Sequence, residues 1–423
     1  MLLLMSWLCG FALPASAAYP KVEFQLLTMG PGSHLYTRGG HAALMAVHYD
    51  SPERWRTKVY NYGEAHFEAP RFPWDYVRGE VQFYLDSPGD LSQTIQKYGI
   101  RETRTVYRQA LNLSPEQTQE LLNRLETELR PENRYYPQHH LKAICTTRIR
   151  DLLNDVTKGA IYTQLSLRSD PQTVRDYQWR AFDGFPLAGW LGDLLLGRLH
   201  DQPIDQYFAL FVPTRMRELL PTVQIDTAQG KRSLAEAPVA LVELASPADS
   251  ELTSYASRIF ALTVAALFLV LTFALMRSPS PRVRQLWGVA FFSWSLFSAG
   301  MGFVYLFLLG FSSIQEAHQN EWLLLFCVTD ITLASTTLRL LRRRTGSFSS
   351  QIMAYLSLRC AMGFALLVGR FIGVFYQEPG AFAAMGFAVW GSFLLGARAI
   401  QLSSRKLQNL VPSPVTENLA SSS

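Results

Sequence analysis

Two hydrophobic patterns divide the chain near Ser250. Before that point apolar and polar residues change over in short runs broken by turn formers. Val22 to Thr28 and His41 to Tyr49 predict two strands, separated by Gly30-Pro31-Gly32-Ser33 and Gly39-Gly40, and Lys58 to Phe67 predicts a third. Leu111-Asn112-Leu113-Ser114-Pro115 opens a helix with Ser114 at the N-cap, Pro115 in first place and Gln117 completing a capping box. Leu121, Leu122, Leu125 and Leu129 recur on one face of it. Another helix starts near Cys145 and carries Ile149, Leu152 and Leu153 inward, whereas Trp190 to Pro221 mixes short helical and extended pieces that periodicity does not resolve.

Beyond Ser250 the runs lengthen to membrane-spanning size. Five candidate spans follow: Ile259–Met276, Leu286–Phe311, Trp322–Leu341, roughly Ala354–Val374, and Ala381–Ala397. Basic clusters at Arg277, Arg282 and Arg284, at Arg342, Arg343 and Arg344, and at Arg405 and Lys406 alternate along the chain with the acidic connections of Glu316, Glu321 and Glu378. With the N-terminal domain outside, every loop then obeys the positive-inside rule, which sets Ser423 in the cytoplasm. Asp330, Arg359 and Arg370 lie within or near spans; a buried Asp–Arg pair, a lipid headgroup contact and, for Arg359, snorkelling toward the interface are the alternatives.

Composition sharpens this division into an exported domain on a membrane anchor. Met1 to Ala18 is apolar at Leu2, Leu3, Leu4, Trp7 and Leu8 and ends in Ala15-Ser16-Ala17-Ala18, as a signal peptide does, although no basic residue precedes it and an uncleaved anchor is the alternative. The expected layout is therefore a signal peptide at 1–18, a periplasmic domain at 19–250, five membrane helices at 251–400 and a cytoplasmic tail at 401–423, in a bacterial inner membrane. The formal charge of +5 comes largely from the basic clusters beside apolar runs, so it reads as topology rather than nucleic-acid binding.

Of the four cysteines, at 9, 145, 327 and 360, only Cys145 falls in the mature exported part; Cys9 lies too early and follows the wrong residue for lipidation. A lone thiol in an oxidising compartment is either buried as a small hydrophobe or used as a nucleophile. Two stretches bear on the choice: Gly39-Gly40-His41-Ala42-Ala43-Leu44 entering a strand, and Ile144-Cys145-Thr146-Thr147-Arg148 opening a helix. A helix N-terminus offers unsatisfied amides and the positive dipole end, which favour a thiolate and an oxyanion together, and a nearby histidine can act as base. Cysteine and histidine alone do not establish a pair.

The segments GGHAAL, VYNYGEAHFEAPRFPWDYVRGEVQFYL, RQALNLSPEQ and CTTRIRDLL, followed by FPLAGWLGDLLLGRLHDQPIDQYFALFVP, resemble in order the periplasmic domain of the Lnb-type lipoprotein N-acyltransferase family. That resemblance implies an α+β, circularly permuted papain-like exported domain, in which histidine precedes cysteine, followed by an α-helical transmembrane bundle. It implies Cys145 as acyl-accepting nucleophile and His41 as base. If β pairing brings the end of the third strand beside His41, Glu64 and His66 lie near it, and His66 is the expected orienting partner. An Asp-Asn pair that the family often carries before the cysteine is here Ala143-Ile144.

Tyr60, Asn61, Tyr62 and Glu64 are candidate substrate contacts, although strand aromatics are more often core, and Arg148 is a candidate for a lipid phosphate or for a helix-surface ion pair. His34, His41, His48, His66, His139 and His140 raise the question of a metal, but no HExxH or paired-cysteine spacing supports one, and no dinucleotide or phosphate loop implies a cofactor. The expectation is a membrane-embedded, cysteine-dependent acyltransferase acting on a lipid or lipoprotein acyl ester through a thioester on Cys145. A cysteine hydrolase of peptidoglycan peptides or esters, and a noncatalytic lipid- or protein-binding envelope factor, are the alternatives.

Overall fold

The computed structural model describes residues 20–410 except 35, 36, 183, 228, 229, 245–252, 279 and 344–347. The expected signal peptide with Cys9, Arg344 and the end of the tail with Ser423 lie outside the described residues. The N-terminal part is a mixed α and β domain. Its strands are β1 (Lys21–Met29), β2 (His41–Tyr49), β3 (Trp55–Glu64), β4 (Gln82–Gly89), β5 (Val106–Ala110), β6 (Tyr135–Pro137), β7 (Gln224–Thr227), β8 (Gly230–Ser233) and β9 (Val239–Val242). Seven form one antiparallel sheet in the order β6-β4-β3-β2-β1-β5-β9, and β7 pairs with β8.

The three central strands are apolar on both faces because both faces are covered. Ala42, Leu44, Ala46, Tyr60 and Tyr62 pack with Leu121 and Leu125 of helix Pro115–Glu128 and with Ile149, Leu152 and Leu153 of helix Cys145–Val156. Ala43, Met45, Val47 and Val59 pack on the other face with Val106 and Tyr98, the latter from the π-helical turn Ile95–Arg101. The capping box is formed in both directions, Ser114 Oγ accepting from Gln117 N and Gln117 Oε1 from Ser114 N. The stretch from Trp190 to Pro221, which periodicity left open, is mainly helical, with Pro186–Leu195 ending inside the membrane bundle, where Leu194 joins its core.

Among the described residues four helices are long and apolar enough to cross a membrane: Tyr255–Arg277, Pro281–Phe311, Ser350–Phe371 and Ala381–Ser404. The segment expected as the third span is a bent pair, Gln315–Leu324 with Val328–Leu341, turned by 43°, which makes a fifth if taken as one broken span. Arg359 fits this break. It is 1 % exposed and donates to the carbonyls of Leu324 (3.0 Å) and Leu325 (2.5 Å) and to Asp330 (3.0 Å), whose carboxylate also accepts from Ser298 and Tyr355. The pair reading therefore replaces snorkelling: carbonyls freed by unwinding have no water in an apolar bundle, and a guanidinium satisfies several at once. Arg370 sits at a helix end and bonds Gln377 O and the Glu378 carboxylate.

The α/β domain and the bundle share a polar seam around Arg175, which has no exposed surface. Its guanidinium holds Asp201 (2.6 and 3.0 Å), Asp193 (3.2 Å) and the carbonyls of Leu196 and Gly197. Asp193 in turn accepts from Ser257 of the first long helix (2.5 Å), and Asp201 from the amide of Glu378. Replacing Arg175 by alanine strands two buried carboxylates, at about 3–5 kcal/mol. Thermal unfolding of the full chain in detergent is expected to show that loss, with Arg175→Lys recovering only part of it because an ammonium lacks the planar fork.

Candidate active site

Cys145 is the first residue of its helix, and its N-cap, Ile144, has no side-chain acceptor to offer the first-turn amides. Thr147 supplies the missing local bonding: its Oγ1 accepts from Ile144 N (2.9 Å) and donates to Ile144 O (3.1 Å). Thr146 donates to Phe211 O (2.6 Å), which pins the helix start to the chain after the Gln206–Ala209 turn. Two buried threonines in the first turn thus fix the helix start.

The thiol has backbone N–H groups of Ala42, Thr146 and Cys145 itself directed at it, and these together with the Arg104 charge pull its pKa down. Burial is the larger influence and pushes the thiol above its ordinary value. On its other side, Gly63 lies so close that a Cβ there would sit 3.6 Å from Cys145 Cβ, and its φ of +92° is one that L side chains avoid. Gly63 falls in the irregular stretch of the β3–β4 ladder, and this bulge opens space for the cysteine at the sheet's end.

Ala42 is the neighbour of His41, so the thiol lies about one peptide unit from the histidine backbone. The His41 ring turns toward the second face of the sheet, stacked on Tyr98 at 5.4 Å, and its Nε2 lies 3.3 Å from Asn61 Oδ1. Among the described residues no hydrogen bond joins the ring to Cys145. The β2–β3 pairing ends at Leu44 against Tyr60, and beyond it the alternation of each strand keeps His41 on the face of Ala43 and Met45 and Asn61 on that of Val59. Asn61 and His41 therefore share one face, within reach of each other. An Asn carbonyl accepting from Nε2 leaves Nδ1 as the basic nitrogen. Burial, together with the charges of Arg104 and Lys97, drives the His41 pKa down to about 3, against the raising effect of Asn61. Both groups are neutral at pH 7.

The other expected residues divide sharply. His66 is exposed beyond the end of β3, with its ring 5.6 Å from Tyr84, and the side chain that meets the His41 ring in a hydrogen bond is that of Asn61. Tyr60 donates to Glu126 (2.5 Å), and Tyr62 to Glu128 (2.8 Å), which also pairs with Arg148 (2.7 Å). These three face the Pro115–Glu128 helix, where Arg148 is ion-paired with Glu128. Glu64 pairs with Lys97 (3.3 Å), and Lys97, Tyr98 and Asn61 line a cavity of about 290 Å³ on the histidine side of the sheet.

Arg104 was not legible as a site residue. It is 2 % exposed, donates to Gly30 O (2.7 Å) and Glu102 (3.0 Å), lies 5.2 Å from the Tyr98 ring, and acts electrostatically on both Cys145 and His41.

The family model of the Lnb N-terminal periplasmic domain matches residues 13–179, a stretch that holds Cys145, His41, Asn61 and Arg104. No curated protein matches the chain, and no solved structure does.

The raised thiol pKa means less thiolate at pH 7 than a free cysteine has, and the fraction grows as pH rises. Alkylation of Cys145 by iodoacetamide is therefore expected to run slower than that of a free thiol at pH 7 and still to be climbing at the pH where a free thiol has levelled off. A plateau near neutral pH, read by intact mass, would show a preformed thiolate instead.

Proposed function

We propose that this membrane protein, whose N-terminal part is an Lnb-type periplasmic domain, is a cysteine-dependent acyltransferase that takes an acyl chain from a membrane lipid or lipoprotein ester onto Cys145. A circularly permuted papain-like arrangement is part of the proposal, with histidine, its amide partner and cysteine in the chain order His41, Asn61, Cys145. The domain is taken as periplasmic, the membrane as the inner one and the C-terminus as cytoplasmic.

The observation that carries the lipid reading is a pair of aromatic groups that share the short helix Phe72–Arg78, one reaching the bundle and the other reaching toward the cysteine. Phe307 and Phe311 of the second long helix lie 5.4 Å apart, and Phe307 meets Trp74 at 5.4 Å. Trp74 belongs to the short helix Phe72–Arg78, which rests on the end of that span through Ser312 and Ser313. Phe72 then meets Phe67 at 5.2 Å, Phe67 meets Phe83 at 6.2 Å, and Phe83 borders Gly63 against Cys145. Trp74 is 50 % exposed and Phe67 43 % exposed. An apolar arrangement of this kind suits an acyl chain leaving the bilayer and has no use for a peptidoglycan peptide.

In the proposed reaction His41 Nδ1 takes the thiol proton, and the Cys145 thiolate adds to the ester carbonyl. First-turn amides hold the developing oxyanion. The imidazolium returns the proton to the departing alcohol, leaving an acyl-thioester. An amine acceptor then attacks, passes its proton through the same imidazole, and the thiol leaves. The ring must close on the thiol from its place on Tyr98, a movement for the substrate-loaded site, since catalytic hydrogen bonds tighten in the complex. A second reading, a noncatalytic lipid-binding factor, draws on the neutral, unbonded resting pair.

Incubation of the full chain with bacterial envelope lipids separates the two by intact mass spectrometry. The expected result is a hydroxylamine-labile acyl adduct on Cys145. Cys145→Ala, Cys145→Ser and His41→Ala are expected to lose it while remaining folded, and Cys327→Ala and Cys360→Ala to keep it. Full activity in Cys145→Ala would exclude the covalent route.

A further inference from the structure

Immediately before the cysteine helix, the segment carrying His139 and His140 meets the connection that follows the second long helix. Ligand atoms of His139, His140 and Glu316 lie within 4.8 Å of one another. Glu316 is 5 % exposed, and its Oε2 has no hydrogen-bond partner; neither does the buried Nε2 of His140. The other Glu316 oxygen has only long contacts, 3.5 Å to His139 Nε2 and 3.8 Å to Lys142 Nζ. His139 and His140 stack at 5.1 Å and 6°, and His200 stacks on His140 at 5.8 Å and 7° with its own Nδ1 unpartnered. Buried carboxylate and imidazole atoms converging without partners are what a cation satisfies.

We infer that His139, His140 and Glu316 bind one divalent transition-metal ion, zinc by ligand chemistry, and that the ion clamps the segment leading into Cys145 to the membrane bundle. Two imidazoles and a carboxylate suit zinc, which is indifferent to exact angles and leaves its fourth position to water. The ligand atoms must draw together slightly, since zinc–nitrogen and zinc–oxygen bonds are near 2.0–2.2 Å. His139 presently accepts from Leu141 N at Nδ1 (3.3 Å). Coordination through its Nε2 shifts the ring proton to Nδ1 and gives up that long bond. Lys142, 57 % exposed at its side chain, swings away as the ion replaces it on Glu316. His200 keeps the His140 ring plane fixed by stacking. No HExxH signature marks the site because its ligands come from two distant parts of the chain.

The test uses the full-length protein in detergent, carrying no histidine tag and stripped with a chelator. Titration with Zn²⁺ by calorimetry, with elemental analysis after dialysis, is expected to give one equivalent per chain. Co²⁺ in its place is expected to give the visible absorption of a four-coordinate nitrogen–oxygen site. His140→Ala and Glu316→Gln are expected to weaken zinc binding at least tenfold, while His66→Ala leaves it unchanged. Lys142→Ala, an exposed change that spares the fold, is expected to tighten binding several-fold by removing the competing ammonium. Absence of saturable zinc uptake, or an affinity insensitive to Glu316→Gln and Lys142→Ala, overturns the proposal. Zinc binding is read without turnover, so its failure leaves the acyltransferase reading untouched.

Discussion

The placement of the α/β domain on the membrane bundle depends on one buried guanidinium. Arg175 joins the Val174–Ala181 helix to Asp193 and Asp201 and to the carbonyls between them, and each of those groups reaches on into the bundle. Leu194 O accepts from Tyr305 and Asn320, and Leu196 O from Gln377. Gly197 approaches the chain at Glu316 and Gln319 so closely that a Cβ there would overlap their carbonyls. Two carboxylates share one guanidinium at the seam, and burial pushes Asp201 up to about 6 despite that partner. Such an arrangement is poor as a source of stability and strong as a specifier of geometry, because any other docking leaves a charge buried and alone.

That geometry matters because the site lies at an edge where three parts of the domain converge. The cysteine helix covers one sheet face, the His41–Asn61 pair belongs to the other, and they approach each other only where β2 begins. Arg104 looks at both from the Tyr98 side, and its charge favours thiolate while disfavouring imidazolium. Burial opposes ionisation of either group, so the resting site holds a neutral thiol and a neutral imidazole. A buried, protonated thiol of this kind resists oxidation, because the thiolate is the reactive form.

Much of the fold was legible where one local rule dominated. The apolar runs of β1 and β2 between glycine-rich turns, the Ser114–Gln117 box and the helix opening at Cys145 all follow from near neighbours along the chain. β4, β5, β6 and β9 were not anticipated, since they are short and mixed in polarity and owe their conformation to sheet partners far away in sequence. Antiparallel pairing of β2 with β3 does not by itself choose a partner for His41. The His41 ring meets Asn61, inside β3 and on the same face, whereas His66 lies past the strand. Asn61 was in view only as a substrate contact. His200 and Glu316 carried no local signal at all, because a helix hairpin and a membrane connection bring them to His140.

Arg359 in the bundle repeats the logic of Arg175. Each guanidinium pairs with a carboxylate and then spends its remaining donors on carbonyls of an irregular segment, Leu196 and Gly197 in one case, Leu324 and Leu325 in the other. Gly302 completes the second case: a Cβ there would overlap the backbone of Cys327 and Val328, so the second span and the unwound segment touch main chain to main chain. The two irregular segments are linked, since Glu321 at the start of the bent pair binds the amides of Tyr376 and Gln377, and Gln377 returns to Leu196. A long apolar helix would have needed neither arginine. By breaking the third span, the chain obtains a connection that carries Asn320 against Leu194 and Glu321 against Gln377, and that sets Glu316 facing the segment before Cys145.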